Sequence, residues 1–178
     1  MSLMNRILFK FSAYLRCRVI RGPNQEPYLE RYHLLRLPFG IQLYLHRFVA
    51  SDPGRALHNH PWRSALSLVL CGNYDETRLG NGRGDSRLHK RRLSAGHLNY
   101  ISGRVYHRIN LPPGQQAWTL FIHTSSHRSW GFLDISERQF SYSDHNTVIL
   151  SHGNPDWWRT ALRPLHQPDM RAPLTGAP

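Results

Sequence analysis

Residues 54–72 read GRALHNHPWRSALSLVLCG, and this stretch decides how the rest of the chain is read. His58 and His60 stand two residues apart, just ahead of the apolar run Ser64–Cys71. Alternate residues of a strand point to one face, so this spacing aims two imidazoles at a single point. His107, in the later segment RVYHRIN (104–110), can close a set of three. Neutral imidazole suits iron, zinc, copper and nickel, so His58, His60 and His107 are candidate ligands of a divalent metal.

Working outward, short strand-like runs alternate with turn signals. Arg31–Leu37 and Ile41–Val49 flank Pro38-Phe-Gly40, and Asp52-Pro-Gly54 is a turn. Arg55–His60 and Ser64–Cys71 follow, the second with Leu66, Leu68 and Leu70 on one face. Asn73–Arg78 and Ser86–Leu93 bracket the hairpin-type loop Gly80-Asn-Gly-Arg-Gly84. His97–Ile101, Tyr106–Leu111, the turn Pro112-Pro-Gly114 and Ala117–Thr124 complete the series. So many short strands with almost no helix between them predict an all-β fold, a closed sheet or double-sheet jelly roll. The interior of such a small barrel holds one ligand-sized site.

The two ends differ from this block. Residues 1–22 predict an N-terminal amphipathic helix: Met4, Leu8, Phe11 and Leu15 form its stripe, Ile7 and Tyr14 flank it, and Gly22-Pro23 stops it. Two readings stay open for it, a helix packed on the outside of the domain and a basic helix on a membrane surface. The barrel is expected to span 23–150. Residues 151–178 form a Pro-rich C-terminal extension, with Leu165–Pro178 read as a disordered or loosely attached tail and Trp157-Trp158 capping the barrel or closing a short helix.

The bulk numbers narrow the class. At 178 residues, 40% hydrophobic and 19% charged, the chain reads as one globular domain. No apolar run approaches the ~18–20 residues of a membrane span, and the N-terminus makes a poor secretory signal because Lys10 interrupts it. A cytoplasmic location is the expectation. Cys17 and Cys71 give no disulfide framework, and Cys71, ending an apolar strand, reads as a buried small hydrophobe. The net charge of +12 can steer a small anionic substrate. Its one dense cluster, Arg87–Arg92, reads either as a solvated hairpin arm or as an anion-binding patch. No helix-turn-helix, zinc-finger or RNP-like pattern supports nucleic-acid readout.

The two histidine segments resemble the paired motifs of the cupin superfamily. Gly54, His58, His60 and Gly72 follow the order of the first motif, and Gly96, Ser102-Gly103-Arg104, His107 and Asn110 that of the second. The resemblance covers roughly residues 40–125. It departs where it matters for chemistry: the position of the usual glutamate ligand is Ala65. The resemblance therefore implies a three-histidine site, similar to those of thiol and diketone dioxygenases. Such a neutral ligand set leaves the dication's charge uncompensated and favours anionic ligands.

The function this implies is a mononuclear non-haem Fe(II) dioxygenase acting on a small anionic substrate, a thiol or a carbonyl-activated carbon acid. Two alternatives stand beside it: a non-catalytic metal- or ligand-binding sensor holding zinc or nickel, and a metal-independent sugar-nucleotide isomerase or epimerase with a histidine acid–base pair. His123 is a candidate residue near the ligands, and Arg104, on the turn entering the second motif, a candidate for pairing with a substrate carboxylate. Trp62, Tyr44 and His46 are candidate pocket residues, Tyr44 and His46 because their strand commonly lines the mouth in cupins. By the same analogy a homodimer is expected.

Overall fold

The computed structural model describes residues 2–80, 87–136, 139–144 and 156–174. Helix α1 (Leu3–Ser12) leads into β1 (Cys17–Arg21), β2 (Pro27–Arg36) and β3 (Gln42–Phe48). Strands β4 (Leu57–His58), β5 (Ser64–Cys71), β6 (Asn73–Leu79), β7 (Leu88–Ser94), β8 (Leu98–Ser102), β9 (His107–Asn110) and β10 (Ala117–His123) follow. The described part closes with β11 (Gly131–Ser136), β12 (Gln139–Asp144) and the short helix α2 (Trp157–Thr160). The strands form two six-stranded antiparallel sheets, β1-β2-β3-β10-β5-β8 and β12-β11-β4-β9-β6-β7. This is the all-β double-sheet architecture the spacing of turns predicted.

The space between the sheets has two halves of different chemistry. One is apolar, with Leu29, Phe48, Val69, Tyr74, Leu93 and Ile109 in contact. The other is aromatic and polar, with Tyr44, Trp62, Phe121 and the histidines of the candidate site. β5 shows how side-chain size sorts the faces. Its small residues Ala65 and Ser67 point inward with Val69, while Leu66 is exposed. The face read as apolar lies outside, because bulky aromatics from β3, β10 and Trp62 already fill the interior.

Several boundaries differ from the expectation. The helix stops at Ser12, and residues 17–21 pair with β2 instead, Cys17 opposite Tyr32. Its buried residues are Asn5 and Ser12; of the expected stripe Leu8 and Leu15 pack against the core, while Met4 and Phe11, with Ile7 and Tyr14 beside them, are exposed. A polar residue can face inward there because the Trp118 indole N–H donates to Asn5 Oδ1 at 2.7 Å. Cys17 is the buried cysteine, its thiol pushed up to about 12 by burial and then by the charge of Glu30; Cys71 is only partly buried. The β6–β7 hairpin forms, with Leu79 opposite Leu88, although its loop residues 81–86 lie outside the described residues. Within the basic cluster, Arg91 and Arg92 pair with Glu76 and Asp75 on β6.

The segment after α2 was read as loosely attached, but residues 165–174 are held by specific contacts. Leu165 N–H donates to Ala13 O, Arg171 donates to Phe9 O and Ser12 Oγ, and Ala172 N–H donates to Glu30 Oε1. Proline content misleads here because these bonds go to polar groups at the end of α1 and on β2, Ser12 and Glu30 among them buried, that the sequence does not reveal. Residues 175–178 lie outside the described part. No described helix is long and apolar enough to cross a membrane.

Candidate metal centre

His58 ends β4 and stands directly opposite His107 on β9. His60 lies past the strand end, so backbone parity alone does not bring it to the others. Its N–H donates to Gly103 O at 3.3 Å, and Arg128 Nε donates to His60 O at 3.2 Å. Gly103 is needed for this approach: a Cβ there would sit 1.9 Å from Trp62 O. Ring centroids are 4.9 Å apart for His58–His60, 4.8 Å for His58–His107 and 4.9 Å for His60–His107. One ligand nitrogen from each ring falls within 4.8 Å of the others. The three sequence-predicted ligands are therefore brought together.

The electrostatics fit a cation. Glu76, fully buried on β6, lies 2.6 Å from His107 Nδ1. A carboxylate only accepts, so Nδ1 carries a proton, and Nε2 faces His60 Nε2, 2.7 Å away. This arrangement fixes the tautomer of a ligating histidine. Burial raises the Glu76 carboxyl, but the His107 and Arg78 contacts outweigh it and hold the group well below the usual range. Burial, then the charge of His107, pushes His58 down to about 3; burial, then His58 and His107, lowers His60 strongly. His58 and His60 are thus neutral near pH 7, with lone pairs available. Asp52 Oδ2 sits 3.7 Å from His58 Nδ1.

The remaining predicted residues are placed less uniformly. Trp62 is sandwiched between His60 (4.2 Å) and His123 (4.6 Å). His123 therefore lies behind the indole, with Nδ1 donating to Thr124 O at 2.6 Å. Burial lowers it to about 4. Tyr44 and His46 are buried in the interior stack, Tyr44 on His123 and His46 on Phe121. Arg104 is exposed on the turn before β9, and the structure does not bring it to the cluster. An arginine that does enter the interior is Arg31 on β2, which sequence reasoning passed over. Its Nε donates to His46 Nε2 at 3.1 Å. Glu76 was missed too, although parity along Asn73–Leu79 puts it on the same face as Tyr74.

No protein-family model matches the sequence, and no curated protein does. Solved structures do. The polyketide cyclase RemF from Streptomyces resistomycificus aligns with a TM-score of 0.54 at 18% identity, over 71% of this chain and 85% of that one. Hydroxypropylphosphonic acid epoxidase from S. wedmorenis aligns at 0.45 and 14%, over 61% and 55%. A cupin-2 domain containing protein from Shewanella frigidimarina aligns at 0.42 and 14%, over 53% and 79%. The chain thus spans a little over half of the epoxidase. At these identities the likeness concerns the fold, and together with the double-sheet topology and the three clustered histidines it identifies the architecture: this chain has the cupin fold.

Proposed function

We propose that this protein is a metal-dependent cupin enzyme, a mononuclear Fe(II) dioxygenase acting on a small anionic substrate. The observation that carries the reading is the set of three converging imidazoles, with His107 fixed by the buried carboxylate of Glu76. His58, His60 and His107 would hold the metal. A ferrous ion there would supply the electrons that dioxygen chemistry requires. The chain's own residues do the rest. Glu76 keeps the proton on His107 Nδ1. Trp62 lies flat against His60 and shields that side of the site from water. The neutral ligand set favours an anion as the partner of the cation.

Elemental analysis of the purified protein, followed by oxygen uptake of the Fe(II)-loaded form with a panel of thiols and diketones, tests this. Stoichiometric iron with substrate-dependent uptake is expected. Stoichiometric zinc or nickel with no turnover would replace the reading with a binding or sensor role. A second reading has its own observation: the 2.6 Å contact of His107 with Glu76 is also an acid–base pair of the kind a metal-independent isomerase needs. Turnover of a sugar nucleotide that survives a chelator would favour it.

A further inference from the structure

β2 and β3 carry four charged or titratable residues in two adjacent register pairs. Glu30 stands opposite Arg47, and Arg31 opposite His46. Successive residues alternate faces, so the first pair lies on the outer face and the second in the barrel interior. The outer pair is complete: both Glu30 oxygens lie 3.1 Å from Arg47 Nη1. The inner arginine has no such partner. Among the described residues its one hydrogen bond goes to neutral His46, and its guanidinium lies 5.3 Å from the Tyr44 ring centre. Among the described residues no carboxylate pairs with it.

Other donors share this neighbourhood. Thr119 on β10 stands opposite His46, which places Arg31, His46 and Thr119 in one row across three strands. Thr119 is fully buried, and among the described residues its Oγ has no partner. Trp62 Nε1, on the indole that stacks against His60, has none among them either. A guanidinium, a hydroxyl and an indole N–H all have hydrogens to give, and a group rich in acceptors answers all three. Arg31, His58 and His60 each keep partial exposure. Arg31 is also close enough to add to the lowering of His123, after burial, and of His60, after burial and the charges of His58 and His107.

We propose that Arg31 is the oxyanion-recognition residue of the barrel, taking the carboxylate or phosphonate end of a small substrate whose other end reaches the three-histidine cluster. The role of the cluster rests on the metal-dependent reading above; the anion site itself does not. A planar guanidinium fork binds such groups in two-point fashion, which a lysine ammonium cannot reproduce.

The test is calorimetric titration of glycolate, and separately of methylphosphonate, into the full chain, both metal-free and loaded with zinc. Wild type, Arg31→Gln, Arg31→Lys and Arg104→Gln are compared, with near-UV circular dichroism confirming the fold. We expect both Arg31 variants to bind zinc as wild type does. Their affinity for at least one anion falls tenfold or more in both forms, less for Arg31→Lys than for Arg31→Gln, while Arg104→Gln is unchanged. Anion affinity within twofold of wild type in folded Arg31→Gln, or no anion binding by wild type, overturns the proposal. Absence of stoichiometric zinc binding in wild type overturns the metal reading instead, and the metal-free titration still decides Arg31.

Discussion

The two faces of one strand pair treat an interior arginine in opposite ways. On the outer face Arg47 and Glu30 are fully buried, and every neighbour answers them. Arg47 donates to Gln116 Oε1, Ala172 O and Pro173 O at 2.7, 2.8 and 2.7 Å. Glu30 accepts from the Tyr32 hydroxyl and the Ala172 N–H. On the inner face Arg31 meets one neutral imidazole. The sheet register is the same for both pairs, so the difference is not one of geometry. It separates a cation whose acceptors are built into the chain from one whose acceptor must come from elsewhere.

The sharpest way to break this contrast is to unpair the outer face. Glu30→Ala leaves Arg47 charged, buried and short of its carboxylate, and should cost about 3–5 kcal/mol, the range for breaking a buried pair from one side. Urea denaturation reads it directly. A loss under about 1 kcal/mol would mean that the outer pair does not anchor residues 172–173 to the barrel and that the two faces are alike.

A second carboxylate tests whether paired charge also organises the interior. Glu76 accepts from Arg91 Nε at 2.8 Å, lies 2.9 Å from Arg78 Nε, and holds His107. Glu76→Gln keeps the size but weakens the hold on the His107 tautomer, and should reduce divalent-metal affinity about 10–100-fold. Competition titration with a chromophoric chelator measures it, and His107→Ala, which removes a ligand outright, sets the scale. Unchanged affinity in Glu76→Gln would leave the carboxylate a purely structural partner of the arginines.

How much of this was legible follows from the same contrast. The strand run, the hairpins and the meeting of His58, His60 and His107 could be read because turn residues and histidine spacing are local signals. His60 came to the cluster by a route the spacing did not describe, through the loop packed on Gly103. Glu76 and Arg31 were hidden because a charged residue on a strand reads as solvent-facing until its neighbours are known. Arg104 stands out in the sequence because it lies on the turn entering the strand of His107, and Arg31 has no such link to the histidine motifs. Proximity in the sheet runs across strands, and Arg31 reaches the interior through its register with His46, fifteen positions away. The contacts of the C-terminal segment were hidden for the same reason.

The interior histidines give a smaller, pH-dependent effect. Burial first, and Arg31 second, hold His46 well below its ordinary value of 6.5, and His123 sits at about 4. Both are neutral in the folded state, whereas in the unfolded chain each gains a proton as pH falls through about 6.5. The unfolded state then binds more protons, so stability falls with decreasing pH from about 6.5 to about 4, by up to about 1.4 kcal/mol per unit for each group. Above 7 these two contribute no slope. Urea midpoints of the metal-free protein between pH 7.5 and 5 check the sign. His46→Gln should flatten the curve, and a slope unaltered by it would show that His46 is already protonated in the fold.

The smallest expected effect is the most discriminating. Arg31→Met replaces an interior cation by an apolar chain of similar length. A structural arginine of the Arg47 kind cannot be removed cheaply, because its loss strands the acceptors around it. Arg31 strands only His46 Nε2, and its removal also relieves the cost of desolvating a charge that no carboxylate offsets. The two terms oppose each other, so the urea stability of Arg31→Met should lie within about 1 kcal/mol of wild type. A loss of 3 kcal/mol or more would place Arg31 with Arg47 as part of the scaffold and leave the barrel without its anion-recognising group. Near-neutral stability together with lost anion binding is the combination that only a residue retained for a ligand produces.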